Sequence, residues 1–315
     1  MKRRFIDLFA GTGAFTRALE NTGKYECVFA NDFDTSSKDI YTLNHGSPFR
    51  LGDLNDIPVT EIPEHDLLCG GFPCQPFSIA GDQKGFEDSR SNVFWKIIEI
   101  LKYHKPQTII LENVKNLTSH DKGNTFKIIQ DALEECGYFI KYAILDTSKV
   151  SCVPQHRERI YMVGFRDKES YDRFNFDVPT IQKGNISDFI ESDIPDKYYY
   201  SDKYKVFDMI QSNVHKNISD NVIYQYRRYY VRENKSNCCP TLTANMGSGG
   251  HNVPIIKDNM GIRKLTPREC FNLQGFPMDY KLPTLSDSAL YKLAGNAVSV
   301  PVITFVSEKL CASLD

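Results

Sequence analysis

The opening Arg4-Phe5-Ile6-Asp7-Leu8-Phe9, then Ala10-Gly11-Thr12-Gly13-Ala14, constrains the fold more than any other stretch. An apolar run breaks on two glycines, and Phe15 to Asn21 follows with Phe15, Ala18 and Leu19 spaced along one side of a short helix. Strand, glycine turn and helix form the first unit of a doubly wound α/β domain. Glycines let a backbone approach a ligand closely, and a helix N-terminus favours polar or anionic groups. No third glycine follows at the spacing of the dinucleotide fingerprint, so this turn alone is equally an ordinary strand–helix connection.

The next strand ends agree with a ligand site. Tyr25 to Ala30 reads as a strand ending at Asn31-Asp32-Phe33-Asp34, and Leu51-Gly52-Asp53 ends a third short segment. Asp32 falls about 20 residues past the glycines, where an acid binds ribose hydroxyls in such folds. Phe33 could pack on an adenine face and Asp53 could accept from its amino group. The competing reading makes both aspartates solvated caps.

Asp66-Leu67-Leu68-Cys69 reads as the end of a buried fourth strand, broken by Gly70, Gly71 and Pro73 just before Cys74. Of nine scattered cysteines, with no CxxC pair and no zinc-like spacing, Cys74 is the one displayed by such a turn. It is the candidate nucleophile. The polar loop Gly81 to Arg90, glycine-bounded at its start, is expected to be a lid. Val93 to Tyr103 is an amphipathic helix with Phe94, Ile97, Ile98 and Leu101 on the core face, and Trp95 is taken as packing. Thr108 to Leu111 is a continuous apolar strand ending in Glu112-Asn113-Val114. A carboxylate there is costly to bury without purpose. It would sit beside Cys74 if the two strands are neighbours, giving a nucleophile and a general acid; an N-cap or an ion pair is the plain alternative. Arg157 and Arg159 alternate along an entering strand and read as two anchors for a polar or anionic substrate.

The net charge of −2 gives no global attraction to a polyanion. The basic signal is local: Tyr224 to Lys235 carries four cations against one anion, interleaved with tyrosines. It is either a nucleic-acid footprint or a solvated β-ribbon. Arg227, Arg228 and Arg232 are candidates for reading guanines, because bidentate arginine–guanine is the commonest specific contact.

Six segments, in order, resemble the DNA (cytosine-5)-methyltransferases, especially the bacterial restriction–modification type. They are Phe9-Ala10-Gly11-Thr12-Gly13, Gly71-Phe72-Pro73-Cys74-Gln75, Glu112-Asn113-Val114, Gln155-His156-Arg157-Glu158-Arg159, Arg263 to Glu269, and Gly295-Asn296-Ala297-Val298. The opening turn departs slightly, with Ala14 where many members have glycine. The resemblance spans nearly the whole chain. It implies the S-adenosylmethionine-dependent methyltransferase fold, a mostly parallel sheet formed by 1–180 and 276–315, with a smaller, irregular, β-rich target recognition domain inserted at 181–275. It implies S-adenosylmethionine held by Phe9, Gly11, Gly13, Asp32, Phe33, Asp53 and Asn296, and a flipped cytosine. Cys74 would attack C6, Glu112 would stabilise the adduct at N3, Arg159 would hold O2, and Arg157 would help position Cys74 and a nearby phosphate. A Thr-Leu pair marks the recognition domain in this family, and Thr241-Leu242 fits.

The implied partner is duplex DNA, with a possible cognate endonuclease acting on the same site without a stable complex. A cytoplasmic monomer, with no metal and no membrane, is the expectation, since no apolar run approaches the roughly 20 residues of a span. Two rivals stay open: a tRNA cytosine-5 methyltransferase on the same scaffold, and a catalytically silent DNA-binding module.

Overall fold

The computed structural model describes residues 2–73, 93–234, 236–248 and 252–315. Cys74 and the expected lid segment from Gly81 to Arg90 lie outside the described residues. The chain divides into two compact units, one of residues 1–145, 158–177 and 303–315, the other of residues 146–157 and 178–302. The second unit therefore takes in 146–157 and runs beyond the 181–275 expected for the insertion.

The first unit is built on seven strands: β1 (Arg3–Leu8), β2 (Tyr25–Asp32), β3 (Phe49–Leu51), β4 (Leu67–Gly71), β5 (Thr108–Val114), β6 (Phe139–Asp146) and β7 (Glu158–Phe165). They form one sheet in the order β3-β2-β1-β4-β5-β7-β6. The pairings β1–β2, β1–β4, β2–β3 and β4–β5 are parallel, and β5–β7 is antiparallel. The central strands are apolar on both faces because a parallel sheet is covered on both sides: Phe5, Ile6, Leu8, Leu67, Leu68, Ile109, Ile110 and Leu111 are all fully buried. Helices α1 (Ala14–Asn21), α2 (Thr35–Asn44), α3 (Val93–His104) and α4 (Asn124–Glu135) alternate with the strands. Phe94, Ile97 and Leu101 of α3 and Ile129 and Leu133 of α4 join Ile6, Leu8, Ile109 and Leu111 in one apolar cluster. Trp95 departs from the packing role expected of it: its ring touches Phe94 edge-on, but the residue is 40% exposed.

The chain leaves β1 toward β2 and β3, then returns across the sheet to β4. The order thus reverses between β1 and β4, and ligands in open α/β sheets bind beyond the carboxyl ends of the strands at such a point.

The second unit carries β8 (Ile223–Arg227), β9 (Tyr230–Asn234), β10 (Ile255–Lys257) and β11 (Ile262–Lys264) in an antiparallel sheet of order β11-β10-β8-β9. A small core of Ile210, Val214, Val222, Tyr224 and Ile255 backs it. Arg263, fully buried, ion-pairs with Asp258 at 2.6 Å and with Glu269 at 2.8 Å. Glu269 also closes a capping box with Thr266 at the start of the helix Pro267–Leu273, which fixes that helix to the sheet. Contrary to expectation, the stretch 287–314 has the length and apolarity of a membrane span. Its helices, Asp287–Asn296 and Val300–Leu314, are interrupted at 297–299, and 61% of its most apolar window is buried within the protein, as in a core helix.

Candidate active site and target groove

The glycine turn after β1 is strained in the way glycine permits. Gly11 has φ 52° and Gly13 φ 70°, and Phe9 itself adopts φ 56°. A Cβ on Gly13 would lie 2.4 Å from His45 Nε2, so the buried His45 seals the turn from behind. Burial pushes the His45 imidazole down to about 4. On Gly11 a Cβ would meet nothing closer than 3.8 Å, so that side of the turn is open. Asp32, at the end of β2, accepts from Gly11 N at 2.9 Å through Oδ2 and from Asp34 N at 2.9 Å through Oδ1. Burial raises its pKa, and those amide donors oppose the shift. Phe33 beside it is 73% exposed, a bare aromatic face. Asp53 is exposed and caps the turn Leu54–Asp56 by accepting from Asn55 N at 2.9 Å through Oδ1.

Sequence reasoning missed Asp7. It is fully buried in β1, and its Oδ2 accepts from Thr16 N at 3.2 Å and Thr16 Oγ1 at 2.8 Å. Gly13 precedes α1 without a side chain to cap it, so Asp7 caps the helix from the strand beneath. Burial pushes the Asp7 carboxyl up to about 7, against the pull of both Thr16 donors. The available signal was a lone acid inside an apolar strand.

At the other side of the switch point, β4 and β5 are parallel neighbours with Gly71 opposite Glu112. The condition set for pairing the acid with the cysteine-bearing turn is met for the two strands. Antiparallel β7 begins where β5 ends, and Arg159 pairs with Val114. Arg159 Nε therefore reaches Glu112 Oε1 at 3.2 Å, with both side chains largely buried. Arg159 Nη1 donates to Glu158 O, and Nη2 has no hydrogen-bond partner among the described residues. Asn113 was also missed as a site residue. Its Nδ2 donates to Phe72 O at 3.0 Å, tying the end of β5 to the chain two residues before Cys74.

In the second unit, Arg157 is committed to the backbone around it, and Cys74, which it was expected to help position, lies outside the described residues. Only 2% exposed, its guanidinium donates to the carbonyls of Leu242 at 2.8 Å, Ala297 at 2.7 Å and Gly295 at 3.3 Å. A guanidinium so enclosed is no surface anchor for phosphate. Asn296 is exposed and ends the helix Asp287–Asn296.

The β8–β9 hairpin and the segment 240–245 line a groove of about 490 Å³, with Gln225, Arg227, Arg232, Asn234, Thr241, Thr243, Asn245, Asn252 and His156 among its walls. Gln225 faces Arg232 across the ladder, and Arg227 lies two residues on, which places all three on one face. Gln225 Oε1 accepts from Arg227 Nη2 at 2.9 Å. Arg227, Arg232 and Thr241 thus line one groove. Arg228 does not join them: it sits in the hairpin turn at φ 47° and is exposed outside the groove lining. Leu242 is fully buried, and its backbone N–H donates to Gln155 Oε1 at 3.1 Å. Thr241 Oγ1 donates to His156 O at 2.6 Å.

A glycine turn and a buried acid–arginine pair at the carboxyl edge of a mostly parallel α/β sheet mark a ligand-binding enzyme site. The chain belongs to the C-5 cytosine-specific DNA methylases, whose family profile matches residues 3–312. It is a DNA (cytosine-5)-methyltransferase, and the expected restriction–modification type is borne out. It is 50% identical to the type II methyltransferase M.Bsp6I of Bacillus sp. (strain RFL6), over 99% of each chain. It is 36% identical to the type II methyltransferase M.HhaI of Haemophilus parahaemolyticus, over 99% of this chain and 95% of that one. Among solved structures, the S. pombe Dnmt2 methyltransferase superposes with a TM-score of 0.79 at 21% identity, covering all of both chains; at that identity the likeness concerns the fold.

Proposed function

We propose that the protein methylates C5 of a cytosine flipped out of a short, specific duplex DNA site, through a covalent bond between Cys74 Sγ and C6. The observation supporting this most is the buried Glu112–Arg159 pair at the carboxyl end of β5, beside the strand that leads into Cys74. Extrusion of the base is needed because stacking hides C6 in the duplex. The Cys74 thiolate adds to C6, and the displaced ring electrons collect toward N3 and O2. Glu112 donates a hydrogen bond or proton at N3, and Arg159, whose Nη2 has no partner among the described residues, holds O2. C5 is then an enamine carbon and nucleophilic. Once C5 carries the transferred methyl group, loss of its proton to a base expels Sγ from C6, restoring the ring and the thiolate. Asn113 keeps the approach to Cys74 in place through Phe72 O.

The open face of Gly11, the fixed Asp32 carboxylate and the bare Phe33 ring fit a nucleoside cofactor. Each Asp32 oxygen keeps a second lone pair for a ribose hydroxyl. Phe9, Gly11, Gly13, Asp32, Phe33, Asp53 and Asn296 would hold S-adenosylmethionine, which supplies the methyl group as an electrophile. Arg227 and Arg232 read the target from the groove, with Thr241 beside them, and Arg228 meets phosphate. The protein acts as a cytoplasmic monomer that protects host DNA. A cognate endonuclease would cut the same site without forming a stable complex with it.

Duplex DNA carrying 5-fluorocytosine tests the reading. A denaturation-resistant adduct should form with the native protein and vanish in Cys74→Ala. Transfer of labelled methyl to tRNA and not to duplex DNA would overturn it. Bisulfite sequencing of DNA from cells expressing the protein maps the site.

A further inference from the structure

The three carbonyls that Arg157 holds belong to two segments with different tasks. Leu242 lies in the groove wall, between Thr241 and Thr243, which both line the groove. Gly295 and Ala297 flank Asn296. A planar guanidinium with five donors in fixed directions cannot follow one segment without releasing the other.

The same two segments meet a second time, through glycine. A Cβ on Gly295 would lie 2.1 Å from Thr243 C and 2.4 Å from Ala244 N. A Cβ on Gly247 would lie 2.5 Å from Ser288 O. The wall and the turn that follows it therefore rest on the backbone of the helix Asp287–Asn296, the wall near its end and Gly247 near its start. A third link is made of amides. Gln155 Oε1 accepts from Leu242 N at 3.1 Å, and its Nε2 donates to Gln274 Oε1 at 3.1 Å. Gln274 Nε2 in turn donates to Ala294 O at 2.6 Å. Gln155 and Gln274 are fully buried, so breaking any of these bonds leaves polar groups without water to replace them.

We propose that Arg157 is a positioning residue that makes the groove wall and the Asn296 turn one rigid piece, so that target DNA in the groove and cofactor on Asn296 favour each other's binding. The inference rests on the reading above, in which the groove takes DNA and Asn296 touches cofactor. Whichever ligand binds first orders the shared piece, and the second no longer bears that cost. The coupling is reciprocal by linkage.

Hydrogen exchange on the full-length wild-type protein tests the joint. A duplex carrying the mapped site, with no cofactor present, should slow exchange at 293–298, and a duplex with the site scrambled should not. Calorimetry then measures S-adenosylhomocysteine affinity with and without the target duplex. Native protein should bind about tenfold tighter with DNA, within the usual range of coupling. Arg157→Met should bring that ratio near one. Arg157→Lys, a point donor reaching fewer carbonyls, should keep part of it. Absence of DNA-dependent protection at 293–298, or native coupling in a folded Arg157→Met, overturns the proposal. Unchanged S-adenosylhomocysteine affinity in Asn296→Ala, with protection intact, would overturn the cofactor reading and the coupling with it, while leaving the joint standing.

Discussion

Replacing Asp7 by Asn should make the protein's stability less sensitive to pH, in the direction opposite to most carboxylates. Asp7 is fully buried, and burial pushes its carboxyl from the ordinary 3.8 up to about 7. A raised acid binds its proton more tightly when folded. Its contribution to stability is therefore complete below the unfolded value, and it is lost as pH rises through the folded one. About three pH units at 1.36 kcal/mol each make about 4 kcal/mol in full, of which about 2–3 kcal/mol falls between pH 5 and pH 7. Asn keeps an oxygen for both Thr16 donors and presents an N–H where the protonated acid presents an O–H, so the two proteins match most closely at low pH. Urea unfolding at pH 5, 6, 7 and 8 gives the difference directly, and every other titrating group cancels. The Asn variant should gain on the native protein steadily from pH 5 to pH 7, then hold constant. Parallel stability curves across that range would refute the assignment of a neutral, capping Asp7.

Gly13→Ala should lower both the melting temperature and cofactor affinity, the latter by at least about tenfold. It forces an L-residue into φ 70°, a cost of about 1–2 kcal/mol, and drives a methyl against His45; thermal unfolding and calorimetry check it, and native cofactor affinity would count against the tight turn. Glu112→Gln should slow single-turnover methylation by about a hundredfold or more while DNA binding changes little; an unchanged single-turnover rate removes Glu112 from the chemistry. Arg232→Ala and Arg227→Ala should each relax the methylated sequence at one position, worth about 1–3 kcal/mol, whereas Arg228→Ala should weaken binding evenly across sequences. Bisulfite profiles and salt-dependent binding separate the two, and a lost base preference in Arg228→Ala would reverse the assignment.

What the sequence made legible follows from what sheets and helices require locally. Parallel strands covered on both faces read as apolar runs, and their polar ends mark the carboxyl edge, so Gly11, Asp32, Asp53 and Glu112 could be placed before any coordinates. The hairpin was harder. Its turn, Arg228-Tyr229, has neither the glycine nor the asparagine that announces one, and without the turn the alternation of the arginines cannot be phased. One residue of register decides that Arg227 and Arg232 share a face with Gln225 while Arg228 lies outside the groove. Asp7 and Arg157 were illegible for another reason: their roles are written in partners supplied by other segments. Asp7 substitutes for a cap that Gly13 lacks, and the carbonyls of Arg157 lie 85, 138 and 140 residues away along the chain. A basic residue near a reactive thiol invites a catalytic reading, but a carbonyl leaves no trace in residue type. For an arginine, sequence spacing predicts where the side chain starts, and only the fold predicts whether its guanidinium reaches a substrate or is already committed to the backbone around it.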